Sequence, residues 1–418
     1  MYHKRSEKGQ ALILIALAAI GLFAFAALAI DGARVYSEKR NAQNAADTAV
    51  MAAALAYTRN NSLSDTGIGD KARERASTNG YNNDGLANEV VVTIEGVPSG
   101  GCTGNVAGKD ITVYIHAYLD TTFARVIGRD QVETAVTATS RSCGFYQAPL
   151  FNGNAIVGLK PDDGGSCAID TGNSNSKSWI TRGGGVFSNG CLEHPNGTLT
   201  IPNDKCITTV GTANVSGGGT HSCVQQNRTA LAYAYPADIA AMMPPDPCTG
   251  AITSGRYAGG GKVPSSGQTT FTNDIFCISD FTTLDAHIVL TNATLYVTDT
   301  SFSARFNGGG NTGFFGTAST SGVYQGYYMI IKMLPTKAAA DACNQYFDFR
   351  GNGNLQMVGT IFAPSTCIDY RGNSTGTSTH SQMIFYRFTG NGNSAIDINY
   401  QAAENHQDPV DPTISLLR

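Results

Sequence analysis

Charge is scarce in this 418-residue sequence: Asp, Glu, Lys and Arg make up 14% of it, against about 25% in ordinary soluble domains. The formal net charge is −4, so the basic footprint of a nucleic-acid-binding protein is missing. No two of the ten cysteines stand as C-x-x-C, and the seven histidines are scattered. That excludes the short ligand spacings of an ordinary zinc site. Gly183-Gly184-Gly185 and Gly308-Gly309-Gly310 are not followed by a helical pattern, so neither is a phosphate loop. No Ser–His–Asp arrangement stands out. Only one tryptophan is present, yet 42% of residues are apolar. The chain is therefore not a disordered tail, and it is long enough for more than one core.

What is abundant lies first at the N-terminus. After a basic lead at residues 1 to 10 (Lys4, Arg5, Lys8), residues 11 to 30 carry no charge, no amide side chain and no proline. Twenty helical residues rise ~30 Å, the hydrocarbon thickness of a bilayer. Leu12, Leu14, Leu17, Leu22, Phe23 and Phe25 are the anchoring side chains. The alternative is a secretory signal with an A-x-A site at Ala27-Leu28-Ala29, but the run exceeds the ~7–15 residues of a signal core. Arg34, Lys39 and Arg40 balance the basic lead, so charge hardly orients the span. The polar mass and all ten cysteines lie after it, which places the body outside the cytoplasm. The helical pattern continues beyond Asp31 as a stripe of small residues: Ala42, Ala45, Ala46, Ala49, Ala52, Ala53 and Ala56. Spacings of three and four put them on one face, where they could pack against a partner helix or the protein's own sheet.

Residues 31 to 145 read as this helix plus a small α+β head. Residues 90 to 95, 111 to 119 and 132 to 139 are strand-like, with a short helix at 69 to 79. In the second strand Ile111, Val113, Ile115, Ala117 and Leu119 alternate with polar residues, giving one buried face. His116 then falls on the polar face and is assigned no role. From residue 146 to 400, short apolar stretches alternate with Gly, Asn, Ser and Thr turns. Phe349-Arg350-Gly351-Asn352-Gly353-Asn354, Tyr370-Arg371-Gly372-Asn373 and Phe388-Thr389-Gly390-Asn391-Gly392-Asn393 are one motif used three times. A period of about 20 residues implies the rungs of a right-handed parallel β-helix or solenoid. Residues 251 to 345 fit this pattern worst. Residues 401 to 418 read as a polar tail.

An even number of cysteines beyond the span implies disulfides. Cys167 and Cys191 are 24 residues apart, as are Cys343 and Cys367. Residues one rung apart in a parallel stack lie ~4.8 Å from each other, within the reach of a disulfide. These four cysteines are therefore the candidate staples between rungs.

The N-terminal text resembles Tad (tight-adherence, Flp) pilus assembly proteins of the TadE/TadG-like kind. The resemblance rests on Lys8-Gly9, the apolar span, Asp31-Gly32 with Arg34 and Tyr36, and Gln43-Asn44-Ala45-Ala46-Asp47 before the alanine run. Thr122-Phe123-Ala124-Arg125-Val126-Ile127-Gly128 is a second, similar piece. Leu14 stands where prepilin-type processing usually has a glutamate. The resemblance implies a pilin-like head, single-pass residence in the cell membrane and work with pilus assembly or secretion proteins. The glycine-rich region also resembles the β-helical extracellular domains that follow such N-termini, through Asn154-Ala155-Ile156-Val157-Gly158-Leu159, Gly185-Val186-Phe187-Ser188-Asn189, Met243-Pro244-Pro245-Asp246-Pro247 and Gly359-Thr360-Ile361-Phe362-Ala363-Pro364.

Two stretches imitate active sites. Asp162-Asp163 resembles the paired carboxylates of β-helical polysaccharide enzymes, but it lies in a turn sequence, Lys160-Pro161-Asp162-Asp163-Gly164-Gly165. Asp299-Thr300-Ser301-Phe302-Ser303 fits the D-x-S-x-S pattern of von Willebrand A domains, whose strand–helix alternation is lacking here. The expectation is a non-enzymatic envelope protein without cofactors, acting in adhesion toward a surface protein or glycan, or as a scaffold. The alternative is an exported, membrane-anchored carbohydrate-active enzyme. The anchor is testable at once. Replacing Leu17 by Asp should cost ~2.5–3.5 kcal/mol of insertion. Mass spectrometry of the native protein should find residues 11 to 30 retained; a mature N-terminus at Ile30 would identify a cleaved signal instead.

Overall fold

A computed structural model describes residues 10–228, 233–249, 267–282, 285–307, 312–350, 354–371 and 379–417. The basic lead up to residue 9, the triple glycine at 308 to 310 and the Gly–Asn turns at 351 to 353 and 372 to 373 lie outside the described residues. The chain divides into two units: Met1–Gln147 with Pro409–Arg418, and Ala148–Asp408.

The first unit is built on one continuous helix, α1 (Gln10–Arg59), followed by α2 (Asp65–Thr78). Ser64 caps α2, its side chain accepting the Gly67 N–H at 3.2 Å. Strands β1 (Asn88–Gly96), β2 (Gly108–Asp120) and β3 (Gln131–Cys143) form an antiparallel sheet. The sequence reading of the strands is short by one to four residues at their ends, where polar residues continue a pairing that the apolar pattern no longer marks, and the second helix, read as 69 to 79, begins four residues earlier and ends one residue sooner. Thr413–Leu417 was read as part of a polar tail, yet it pairs with β3 as the fourth strand. The alternating Ile414 and Leu416 carried that signal, and Ile414 packs against the unit's core.

The alanine stripe is where α1 meets this sheet. Ala42, Ala45, Ala46, Ala49 and Ala53 are buried together with Ile68, Ala72 and Ala76 of α2 and with Ile111, Val113, Ile115, Val136 and Ala138. Ala52 and Ala56 are only partly buried, at the margin of that face. Small side chains let backbone approach backbone, and the distances register it: the Ser140 hydroxyl donates to the Val50 carbonyl of the helix at 3.0 Å. The stripe thus serves the protein's own core, so a partner helix is not needed to explain it.

In the second unit nearly all strand pairs are parallel. Ile275–Ile278 pairs with Thr294–Val297, which pairs with Tyr327–Ile331. The series continues through Asn354–Arg371 and His380–Asn391 to Ile156–Gly158, Val186–Ser188, Ile207–Thr209 and Val224–Gln225. Of residues 251 to 345, which the sequence pattern could not divide, 251 to 266 lie outside the described residues and the described ones from Gly267 carry strands in the same parallel register. The chain order along this series is unusual. The unit starts in its middle, at Ile156. It runs outward to Val224, resumes at Gly267 beyond the opposite end, and returns until Met383 pairs with Ile156.

Two apolar layers result. Leu295, Met329, Ile361, Met383, Ile156, Val186 and Ile207 point into the main core, whereas Tyr296, Ile330, Phe362, Ile384, Val157 and Phe187 belong to a second cluster. The described residues 233 to 248 pack across that second cluster, through Tyr233, Tyr235, Ile239, Met242, Met243 and Cys248. The Arg228 N–H donates to the Thr209 carbonyl at 3.0 Å, and Asn189 grips the Tyr233 backbone, its amide donating at 2.8 Å and its oxygen accepting at 3.0 Å. The Tyr235 hydroxyl donates to the Leu334 carbonyl, Asp246 meets Lys332 at 3.0 Å, and Cys248 is bonded to Cys277. The prolines at 244, 245 and 247 lie in this strap.

The aromatic positions of the repeat form a ladder. Phe306, Phe349, Tyr370 and Phe388 stack with ring centroids 4.8, 5.2 and 5.6 Å apart. Gly392, in the third copy of the motif, has φ of 75°, a left-handed bend that glycine accepts without strain. Phe349→Ala should destabilise the second unit by about 3–5 kcal/mol, and Ala49→Leu should overpack the first by about 1–3 kcal/mol. Denaturant unfolding of each variant is the check. An unchanged midpoint for Ala49→Leu would mean that the stripe reflects helix propensity alone.

Candidate functional site

The helix α1 has two environments along one axis. Leu12, Leu14, Leu17, Leu22, Phe23 and Phe25 are 61–76% exposed, although each is strongly apolar. α1 is long and apolar enough to cross a membrane. One residue beyond the apolar run the environment changes. Asp31 is 6% exposed, and its carboxylate accepts the backbone N–H groups of Thr122, Phe123 and Ala124 at 3.1, 3.0 and 2.8 Å. It thereby caps the single turn of 3₁₀ helix at Ala124–Ile127. The Arg34 guanidinium donates to the Thr122 hydroxyl. The exit of the span and the Thr122–Gly128 motif, 91 residues apart in sequence, are thus one construction. Sequence reasoning singled out both pieces but not their contact. A lone acid after an apolar run, and a turn with no capping side chain of its own, were the signals available.

The three N–H groups, that of Ala124 foremost, hold the Asp31 carboxyl below the usual carboxylate range, against the opposing effect of burial. A depressed value in the folded state means that the latch is fully present above the ordinary carboxylate value of 3.8. It is lost as pH falls through the lower folded value. Asp31→Ala should therefore speed hydrogen exchange at the amides of Thr122, Phe123 and Ala124 at neutral pH. The unaltered protein should show that acceleration only in acid. Equal protection in both at neutral pH would remove the latch from the account.

The other candidates fall into place as structural parts. Cys167 is bonded to Cys191 and Cys343 to Cys367, with Cα separations of 4.6 and 5.4 Å. The first bond joins the entries to Ile169–Asp170 and Leu192–Glu193, which are paired in register. Cys102–Cys143, Cys206–Cys223 and Cys248–Cys277 complete five disulfides. Of these, Cys206–Cys223 follows the same rule as Cys167–Cys191, joining the entries to paired strands: Ile207 pairs with Val224, directly after each cysteine. A spacing of 17 residues hid it from a search for steps of 24.

Asp163 is held by Lys160 at 2.7 Å through one oxygen and by Lys337 through the other. The hydrogen bond from Lys160, then that from Lys337, keep its carboxyl far below the usual range. A general acid needs the opposite, a carboxyl held protonated near neutrality. Asp162 beside it is exposed. Asp299 accepts the Ser301 and Phe281 N–H groups at 3.0 and 2.9 Å, which makes it a turn-forming residue. Among the described residues no group of three or more His, Cys, Asp or Glu could hold a metal ion. His116 meets Glu133 at 3.0 Å on the outer face of β2.

No curated protein and no solved structure matches this chain. One family model does, over residues 9–56. That segment contains the apolar run, the Asp31 exit and the alanine stripe. By this match, residues 9–56 of the chain are similar to the Flp pilus-assembly TadE/G-like family.

Proposed function

We propose that this is a single-pass membrane protein of the cell envelope, with its body outside the cytoplasm, working with a Tad/Flp-type pilus assembly or secretion system. One observation carries the reading. A single helix is bare and apolar over one bilayer thickness, is latched at Asp31 and buries an alanine face in its own unit from Ala42 onward, and the family match covers that transition. Five disulfides with no free cysteine among the described residues favour an oxidising space.

The second unit serves as a rigid, non-catalytic adhesive or spacer surface. We read it as a right-handed parallel β-helix, whose rungs bury their side chains against neighbours and offer repetitive polar faces. The parallel register and the aromatic ladder support that reading. The ligand class is a surface protein or glycan. The competing reading, a carbohydrate-active enzyme, draws on Asp162-Asp163, and the double lysine clamp on Asp163 weighs against it.

The test is isolation of the tagged full chain from its native envelope in mild detergent. Pilus-assembly components should be recovered with it, and Leu17→Asp should lower the recovery. A mature protein in the soluble fraction without its span would defeat the anchoring. Release of reducing or unsaturated sugars from a polysaccharide panel, abolished by Asp163→Asn, would establish the enzyme instead.

A further inference from the structure

The turn capped by Asp31 leaves large apolar side chains in solvent. Phe123 is 42% exposed and Val126 is 88% exposed, which is costly for a soluble surface unless something covers them. Their position says what does. Three hydrogen bonds fix the turn to Asp31, the first residue after the apolar run. With a helical rise of ~1.5 Å per residue, the turn sits within about one helical turn of the end of the span. The exposed belt of the helix continues to that point, with Leu28 at 63% and Ile30 at 48% exposure. Phe123 and Val126 thus extend a surface already read as lipid-facing.

The charges around the turn fit the same neighbour. Arg34, Arg125 and Arg129 are exposed, as is Tyr36 at 66%. Arg125 meets Asp130 at 3.3 Å, but that pair is 60% and 78% exposed. Such a pair is weak in water and leaves the guanidinium able to meet a phosphate. Apolar side chains with arginines and a tyrosine beside them are the composition of a membrane–water interface.

We propose that the Phe123–Gly128 turn is a second membrane contact. Phe123 and Val126 enter the boundary between acyl chains and headgroups, and Arg34, Arg125 and Arg129 face anionic lipid phosphates. The inference rests on the anchor reading of α1. Its consequence is mechanical: a lone helix leaves tilt and rotation about its axis to be set by other contacts, and a turn fixed to the helix exit supplies one.

The experiment uses the full chain in lipid nanodiscs of phosphatidylcholine, with or without phosphatidylglycerol. Val126→Trp adds one fluorophore to the buried Trp179; Val91→Trp, on β1 opposite Tyr114, is the control. Lipids brominated near the headgroup should quench the added emission of Val126→Trp at least twofold and leave that of Val91→Trp unchanged, while aqueous iodide should do the reverse. Replacing Arg125 and Arg129 by Glu should reduce the brominated-lipid quenching in the phosphatidylglycerol discs. Full iodide access at position 126 in an inserted protein would overturn this proposal alone, and so would shielding by a protein partner in native membranes that is missing from the discs. Failure of the chain to enter discs at all would overturn the anchor reading and this proposal with it.

Discussion

The pairing of Met383, Ile384 and Phe385 with Ile156, Val157 and Gly158 is the constraint on which the second unit depends. It joins residues more than 220 positions apart, and it lies in the interior of the series of parallel strands. With the pairings of Phe388 and Thr389 with Ile169 and Asp170, and of Ala395–Asn399 with Ser178–Arg182, it forms the seam without which the outward-running half, from Ile156 to Val224, and the returning half, from Gly267 to Asn399, would be two separate pieces. Each would expose a strand with a full row of unpaired backbone groups and an open apolar face. Closing so long a loop is entropically slow to achieve. Residues 233 to 248 and the Cys248–Cys277 bond hold the two halves together along their other face.

The first unit depends on a different economy, that of side-chain size. A helix of 50 residues has to satisfy a hydrocarbon environment at one end and a closely packed sheet at the other. Leucine and phenylalanine fill the first part, and alanine fills the second because the sheet is near enough for a serine hydroxyl to reach the helix backbone. The apolar run ends at Asp31, before the buried face begins at Ala42, and Asp31 is an acid that would be costly in lipid or in an apolar core. It is tolerated because three backbone donors converge on it.

How much of this the sequence discloses depends on the range over which each signal acts. The helix, its alanine face and the alternating strand at 111 to 119 are local patterns with a single period, and each is legible residue by residue. The repeat of Phe349, Tyr370 and Phe388 could also be read, since neighbouring rungs have similar text. The series from Gly267 to Phe306 could not, because its rungs lack the Gly–Asn punctuation and are marked only by short β-branched and aromatic runs. Order along the stack was hidden for a further reason. The residues these strands turn to the main core are apolar, so nothing in Ile156 specifies Met383 rather than a residue of another strand as its neighbour. The Asp31 latch escaped notice because its other half is made of backbone N–H groups, which every residue carries. The strand at Thr413–Leu417 was missed because five residues with three apolar side chains look the same in a tail as at a sheet edge.

The strap across the stack has an evolutionary corollary. Parallel strands can be added only where the outward half ends or where the returning half begins, since the middle is fixed by the junction at Ile156. Every rung added at either end would raise the stack by ~4.8 Å. The strap must cover the same height, so it would have to lengthen by about one to two extended residues for each one. Variants of this protein with longer series should therefore differ by paired insertions, a long one that carries new parallel strands and a short one in the strap.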